Sequence, residues 1–240
     1  DLKRDGFRAI FVASGAGLPN FMHIKGENYN GVMSSNEYLT RINLMGAARD
    51  KDSDTPVLSG KTVAVIGGGN TAMDSVRTAL RVGAKRAMIV YRRSEEEMPA
   101  RLEEIKHAKE EGVHFLTLHN PQSYKADEKG RVCAAVLDVM RLGEPDASGR
   151  RRPEVTGETV TVECDQVIVA VGVSPNPLVP KSIEGLELGR KNTIVVSDQM
   201  QSSRPEIYAG GDIVRGGATV ILAMGDGRRA AASMDKSLSL

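Results

Sequence analysis

The 240-residue chain has no tryptophan, only two cysteines and no surplus of charge. Cys133 and Cys164 stand far apart, which excludes a disulfide framework and a CxxC redox pair. A formal net charge of +1 excludes a general attraction to nucleic acid or to acidic membranes. No apolar run approaches the ~20 residues of a membrane-spanning helix. The opening residues, "DLKRDGFRAIF", lack the apolar core of a signal peptide. His23, His107, His114 and His119 show no ligand spacing with acids or cysteines, so no metal site is expected. What remains is a soluble, cytoplasmic protein of one large domain or two modest ones, with no nucleic-acid or membrane partner.

Glycine is plentiful, at 25 residues, and after Ser59 it falls into a pattern. "SGKTVAVIGGGNTAMDSVRTALRVGA" predicts a turn, a strand from Thr62 to Ile66, a glycine loop and a helix from Thr71 to Arg81. Gly83 is the helix stop. Ala72, Met73, Val76, Ala79 and Leu80 share one helix face at three- and four-residue spacing. Gly67-x-Gly69-x-x-Ala72 is a dinucleotide fingerprint in the right place, between strand and helix. The first glycine permits the tight turn, the second admits a pyrophosphate to the backbone, and the small third residue lets helix and strand pack closely. The pyrophosphate then rests on free amides at the helix N-terminus. Asn70 and Thr71, at that terminus, and Gly172 join the candidate contacts.

The next strand, "RAMIVYRR", ends where an acid would normally grip a ribose 2′-hydroxyl. Here Arg92, 25 positions after Gly67, and Arg93 stand instead. An acid would repel a 2′-phosphate, whereas guanidinium groups bind it with charge-assisted hydrogen bonds. The cofactor expected is therefore NADP(H). Glu95 to Glu97 read as the opening of the following helix, "MPARLEEIKHAKEEG", with Ser94 and Glu97 at capping-box spacing and Pro99 in the first turn.

Around this core the organisation is coarser. "FRAIFVASGAG" is a β-rich run, and residues 18–59 are irregular apart from a short helix around Ser35 to Met45 and the polar, linker-like "RDKDSDTP". After the second helix come β runs "VHFLTL", "RVCAAVLDVM", "ETVTVEC" and "QVIVAVG", joined by the turn "DEKG" and a long loop, "GEPDASGRRRPE". Within that loop "GRRRP" reads as a solvated hairpin tip or a contact for a partner subunit. "NTIVVS" and "EIYAGGD" read as strands, and "GATVILAMGDGRRAAASM" as a glycine-interrupted helix. The fold class expected is α/β. A Rossmann-like domain at 60–172 is inserted into a second dinucleotide-binding domain made from 1–59, which also carries the crossover, and 173–240.

The segment "YAGGDIVRGGATVILAMGDGRRAA" resembles the two-dinucleotide-domain flavoproteins. In them the residue matching Asp212 binds the ribityl chain of FAD, and the helix start matching Thr219 and Val220 lies against the flavin. "VASGAG", with Gly15, and "VAVGVSPNP" resemble their two crossover segments. Together with "VIGGGNTAMDSVRTALRVGA" and "VYRRSEEEMPARLEEIKHAKEEGV", these runs resemble the small (β) subunit of NADPH-dependent glutamate synthase across essentially the whole chain. Relatives of that family include ferredoxin:NADP transhydrogenase large subunits, sulfide dehydrogenases and part of dihydropyrimidine dehydrogenase. The resemblance implies FAD and NADP(H) as cofactors and onward electron transfer to iron–sulfur centres in a partner subunit or fused domain. It implies no catalytic acid or base, because the cofactors carry the chemistry. Alternatives are a ferredoxin:NADP or sulfide oxidoreductase subunit, or an NADP-binding module without catalysis.

Family members carry, ahead of "VASGAG", a cysteine-rich cluster domain and a glycine-rich loop for the ADP half of FAD. Neither stands in this sequence, so the expectation is the C-terminal part of a longer protein. Losing that anchor removes the main anion site for the FAD pyrophosphate. The 240-residue chain is accordingly expected to purify colourless and to oxidise no NADPH above background. An absorption spectrum showing near-stoichiometric FAD would refute this.

Overall fold

A computed structural model describes residues 2–49, 52–56, 59–145 and 149–239. In chain order, β1 (Ile10–Val12) and β2 (Leu18–Pro19) precede β3 (Val32–Ser34) and α1 (Ser35–Leu39), which runs on into a π-helical turn at Thr40–Leu44. Next come β4 (Thr62–Ile66), α2 (Asn70–Arg81), β5 (Arg86–Tyr91), α3 (Leu102–Glu110) and β6 (His114–Thr117). They are followed by β7 (His119–Ala126), β8 (Val132–Pro145), β9 (Arg151–Glu163) and β10 (Gln166–Val169). The last elements are β11 (Val173–Ser174), α4 (Leu178–Ser182), β12 (Ile207–Ala209), α5 (Asp212–Arg215) and α6 (Val220–Leu238).

The chain divides into two compact units, Pro19–Val171 and a discontinuous one made of Asp1–Leu18 with Gly172–Leu240. The expected insertion is thus present in the connectivity. The first division falls at 18/19, however, and not at 59/60. The reason is a long-range register: β3 pairs parallel with β10, Val32 beside Val167 and Ser34 beside Val169. Behind β3, Met33, Tyr38 and Ile42 enter the core of the inserted unit.

The sheet of that unit is parallel, in the order β3-β10-β4-β5-β6. Its central strands, "TVAVI", "RAMIVY" and "QVIV", are almost continuously apolar because both faces are covered. On one face Val63, Val65, Ile89 and Ile168 pack under Met73, Val76 and Ala79 of α2 and Ile105 and Ala108 of α3. On the other, Ala64, Ile66, Met88, Val90, Val167 and Val169 meet Tyr124, Val132, Ala135 and Leu137 of an antiparallel β7-β8-β9 sheet. Complete burial of each such Val or Ile contributes about 1.5–3 kcal/mol. Arg77 ties the helices together, reaching Glu104 at 2.6 Å and Glu111 at 2.9 Å.

Local expectations were revised at four places. The helix predicted over "MPARLEEIKHAKEEG" begins only at Leu102, and Glu95–Glu97 form a separate 3₁₀ turn. Met98, preceding a proline, takes the extended conformation (φ −66°, ψ 129°) that such residues favour, which breaks the helix. The expected loop "GEPDASGRRRPE" is largely strand: Gly143–Pro145 end β8 and Arg151–Glu154 begin β9, while residues 146–148 lie outside the described residues. The same holds for residues 50 and 51 of the expected polar linker. Strand β7 was not expected. It starts after Leu118 turns left-handed (φ 57°) and accommodates Pro121 at a register shift on the sheet edge. "NTIVVS" is not a strand but a run of isolated bridges, Leu188 to Ile194 and Val196 to Ser202, entered through left-handed Lys191 and Asn192.

The discontinuous unit has a small core of Val12, Ile194, Ile207, Ala209 and Ile213 around the parallel β1–β12 pair.

The placement of β3 sets a test by truncation. A chain of residues 19–171 is expected to unfold in one cooperative transition. A chain of residues 60–172, lacking β3 and the Tyr38 and Ile42 contacts, exposes the β10 edge and is expected to be several kcal/mol less stable. Urea denaturation followed by far-UV circular dichroism checks this, and equal midpoints would contradict the assignment of β3.

Candidate functional site

The glycine loop leaves β4 at Ile66 and enters α2 at Asn70. Gly67 has φ 141°, and a Cβ there would lie 2.3 Å from the carbonyl oxygen of Ala170, just past the end of the adjoining β10. Only glycine fits both the dihedral and the gap. Its amide donates to Val90 O at 3.0 Å, fixing the loop over the end of β5. Gly68, a free position in the motif, is also constrained: a Cβ would lie 2.7 Å from the Tyr91 ring. At Gly69, the N-cap of α2, a Cβ would meet no atom within 4 Å. Open space thus lies beside the helix end. Asn70 and Thr71 are exposed, and first-turn amides have no intrahelical acceptor. Ala72 is fully buried against the sheet, as the small third position requires.

The segment after β5 folds back over this loop. Tyr91 Oη donates to Glu97 O at 2.9 Å, Ala100 N to Gly68 O at 3.1 Å, and Arg101 N to Asn70 Oδ1 at 2.9 Å. The Asn70 carboxamide oxygen is therefore committed to the chain itself. The three glutamates do not neutralise the arginines. Glu95 pairs with Lys109 at 2.5 Å, and Glu97 accepts a long 3.5 Å bond from Ser94 Oγ. Among the described residues neither Arg92 nor Arg93 has an ion pair, and Arg93 Nε is buried with no hydrogen-bond partner. Arg92 is exposed and Arg93 half-buried. Gly172 does not group with this loop; it is the first residue of the discontinuous unit's second stretch, exposed and left-handed (φ 95°).

The other candidates converge within the discontinuous unit. Gly15, Asp212, Thr219 and Val220 line one concavity of about 260 Å³, with Phe11 and Ala223 among its apolar walls. Asp212 Oδ1 accepts Ala218 N at 3.1 Å, which shapes the glycine-rich turn before α6. Thr219 caps α6, its hydroxyl accepting Leu222 N at 3.4 Å. Behind the cavity sits Asp226, a residue the sequence reading passed over. It is wholly buried and binds Arg215 through both oxygens at 2.6 Å, Arg229 at 2.7 Å and the Gly211 amide at 3.1 Å. The Arg215 hydrogen bonds, helped by the Gly211 amide and Arg229, outweigh burial and hold its carboxyl down to about 2. Its signal in the sequence was an acid between Gly225 and Gly227 with Arg229 three residues on, at helical spacing.

Cys133 and Cys164 lie on adjoining backbone, Cys164 N donating to Cys133 O at 3.2 Å, and burial pushes the Cys164 thiol up to about 12. Among the described residues no three of His, Cys, Asp or Glu gather as a metal set.

The family model for pyridine nucleotide-disulphide oxidoreductases matches residues 2–227. The chain is 41% identical over 242 residues to the NADP(+)-dependent formate dehydrogenase subunit beta of Moorella thermoacetica, covering 99% of this chain and 32% of that protein. It is 38% identical over 238 residues to the glutamate synthase [NADPH] small chain of Escherichia coli (strain K12), covering 96% of this chain and 50% of that one. It thus spans between a third and a half of the length of these relatives. Among solved structures, FprA of Mycobacterium tuberculosis in complex with NADPH superposes with a TM-score of 0.79 at 21% identity, covering 99% of this chain and 66% of that one. T. acidophilum thioredoxin reductase gives 0.70 at 20% identity, covering 96% and 66%. These two share the α/β dinucleotide-binding fold.

The Asp226 cluster yields a pH-dependent test. A carboxyl held near 2, against an ordinary 3.8, contributes stability that is complete above about pH 4 and is lost as pH falls toward 2. Asp226→Asn is expected to destabilise the discontinuous unit by on the order of 2 kcal/mol at pH 7. It should also flatten the acid limb of its thermal midpoint. An unchanged acid limb in the variant would refute the role.

Proposed function

The chain belongs to the pyridine nucleotide-disulphide oxidoreductase family, and on that premise we propose that it is the nucleotide-oxidising part of a flavin-dependent NADPH oxidoreductase. It is of the kind found in small or beta subunits such as those it resembles. The observation that carries this reading is the pair of unpaired arginines, Arg92 and Arg93, beside an open helix N-terminus. Gly67, Gly69, Asn70, Thr71 and Ala72 provide the turn, the open approach and the helix end for the pyrophosphate. Arg92 and Arg93 hold the 2′-phosphate, and the buried Nε of Arg93 gains the acceptor it lacks.

In the full-length protein, the donor set of the second concavity fits part of FAD. Phe11, Val220 and Ala223 offer apolar surface to a flat ring, while Asp212 and the capped start of α6 offer a carboxylate and amides to polar edges and hydroxyls. Gly15, where a Cβ would meet nothing within 4 Å, keeps the rim open. Once bound, the two cofactors supply hydride transfer and its division into single electrons. The chain's own residues bind and orient them, and no side chain moves a proton. Iron–sulfur centres that accept the electrons belong to a partner subunit or another domain. The reading is of a cytoplasmic enzyme that engages neither nucleic acid nor membrane; among the described residues no helix is long and apolar enough to cross a membrane.

Calorimetric titration of the chain tests the cofactor assignment. NADPH should bind more tightly than NADH, and replacing Arg92 and Arg93 by alanine should weaken NADPH by on the order of a hundredfold while leaving NADH nearly unchanged. Equal affinities in the unmutated chain would overturn the proposal.

A further inference from the structure

The cavity beside Asp212 takes its walls from three places: Phe11 of β1, the turn Gly210–Asp212 after β12, and the start of α6 at Ala218–Ala223. The link from the second wall to the third runs through Gly216, left-handed (φ 77°), where a Cβ would meet nothing within 4 Å. Packing at that glycine therefore does not hold the walls in place. Asp226, further along α6, reaches back across the link. Its Oδ2 accepts from Gly211 N at 3.1 Å and Arg215 Nε at 2.6 Å, and its Oδ1 accepts from Arg215 Nη2 at 2.6 Å. Gly211 caps α5 and Arg215 ends it, so one carboxylate grips both ends of the short helix that carries Asp212. Arg229 also donates to Oδ1, at 2.7 Å, but it stands on α6 with Asp226 and ties nothing across the link. Gly210 completes the fit, since a Cβ there would strike both Asp226 Cβ and the Phe11 ring. Of the two oxygens of Asp212, Oδ1 is committed to Ala218 N, and among the described residues Oδ2 has no partner. A buried ion pair adds little net stability over an apolar filling of equal volume, but it fixes angles that such a filling does not.

Resting on the flavin reading above, we propose that Asp226 is a positioning residue of the flavin site: through Arg215 and the Gly211 amide it sets the angle of α5, and with it the free oxygen of Asp212, against the start of α6. Arg215 is its working partner, because that bond crosses from one wall to another. Arg229 shares the charge and takes no part in placing the turn. A site held in shape before its ligand arrives loses less freedom on binding, so the effect is read in flavin affinity.

The test separates position from stability by setting Arg215→Met beside Arg229→Met. Each takes one arginine from Asp226, and both should lower the thermal midpoint of the discontinuous unit. The probe is FMN, which carries the ring and ribityl chain without the adenylate half, titrated by calorimetry well below those midpoints. Asp226→Asn and Arg215→Met should each weaken FMN by about tenfold, and Gly210→Ala, which wedges the walls apart, should do the same. Arg215→Lys, keeping the charge but not the two-pronged bond, should recover only part of the loss. Arg229→Met should stay within about twofold of the unmutated chain. Hydrogen exchange of the flavin-free chains supplies a second readout. Amides of residues 211–218 should exchange faster in Asp226→Asn and Arg215→Met, and at the unmutated rate in Arg229→Met. Undiminished FMN affinity in Arg215→Met, or equal losses and equal exchange in the two arginine variants, would overturn this inference while leaving the flavin reading standing. An unmutated chain that takes up no FMN at millimolar concentration would instead overturn the flavin reading on which it rests.

Discussion

Everything around the glycine loop depends on one backbone approach, that of Gly67 to Ala170. Parallel strands β4 and β10 end side by side, and the chain must leave the first without striking the second. With a Cβ only 2.3 Å from a carbonyl oxygen, any other residue would push the loop off the sheet. Moving that loop would displace the start of α2, and with it the bonds that Gly68 and Asn70 offer to Ala100 and Arg101. The position of the arginine segment is thus a second-order consequence of packing between two strands. Sterics decide where the charge of Arg92 and Arg93 stands.

The sequence announced the parts governed by local rules. Strands β4, β5 and β10 were legible because they are buried on both faces and so nearly continuously apolar. Helix α2 was legible from its face spacing and from Gly83. Arg92 and Arg93 stood out because the strand end is where a ribose-reading residue is expected, and among the described residues the structure leaves both without an ion pair. What escaped depended on partners distant in the chain. Strand β3 belongs to the inserted unit only because Val32 finds Val167. Asp226 became visible as a hub only when Arg215 and Gly211 were brought to it. The helix start was missed for a different reason: Pro99 suits a first turn, but the same proline denies helical geometry to Met98, and that local restriction prevailed.

The two units are held by different physics. The inserted one rests on two apolar layers either side of a sheet, and its main ion pairs lie on the helix surface at Arg77. The discontinuous one has a thin apolar core and relies on a buried carboxylate shared by two arginines and an amide. Gly210 shows how tightly this is drawn, since a Cβ there would lie 2.8 Å from Asp226 Cβ and 3.1 Å from the Phe11 ring. A charged centre of this kind is directional where an apolar core is not, and so suits a turn that must hold one shape beside a cavity.

The discontinuous unit also imposes an order on synthesis and folding. Ile10 must find Ile207, so β1 stays unpaired until β12 has left the ribosome. Closing so long a loop in a disordered chain is entropically unfavourable and slow. The inserted unit shortens it: the chain enters on β3 and departs on β10, which are hydrogen-bonded neighbours. Once that sheet has formed, the two flanking stretches leave from adjacent strands, and the loop left to close is only the chain between β1 and β3 and between β10 and β12. The inserted unit therefore acts as a folding template, drawing together the ends of the segments that flank it. Damage to its sheet would show first as failure of the other unit to assemble.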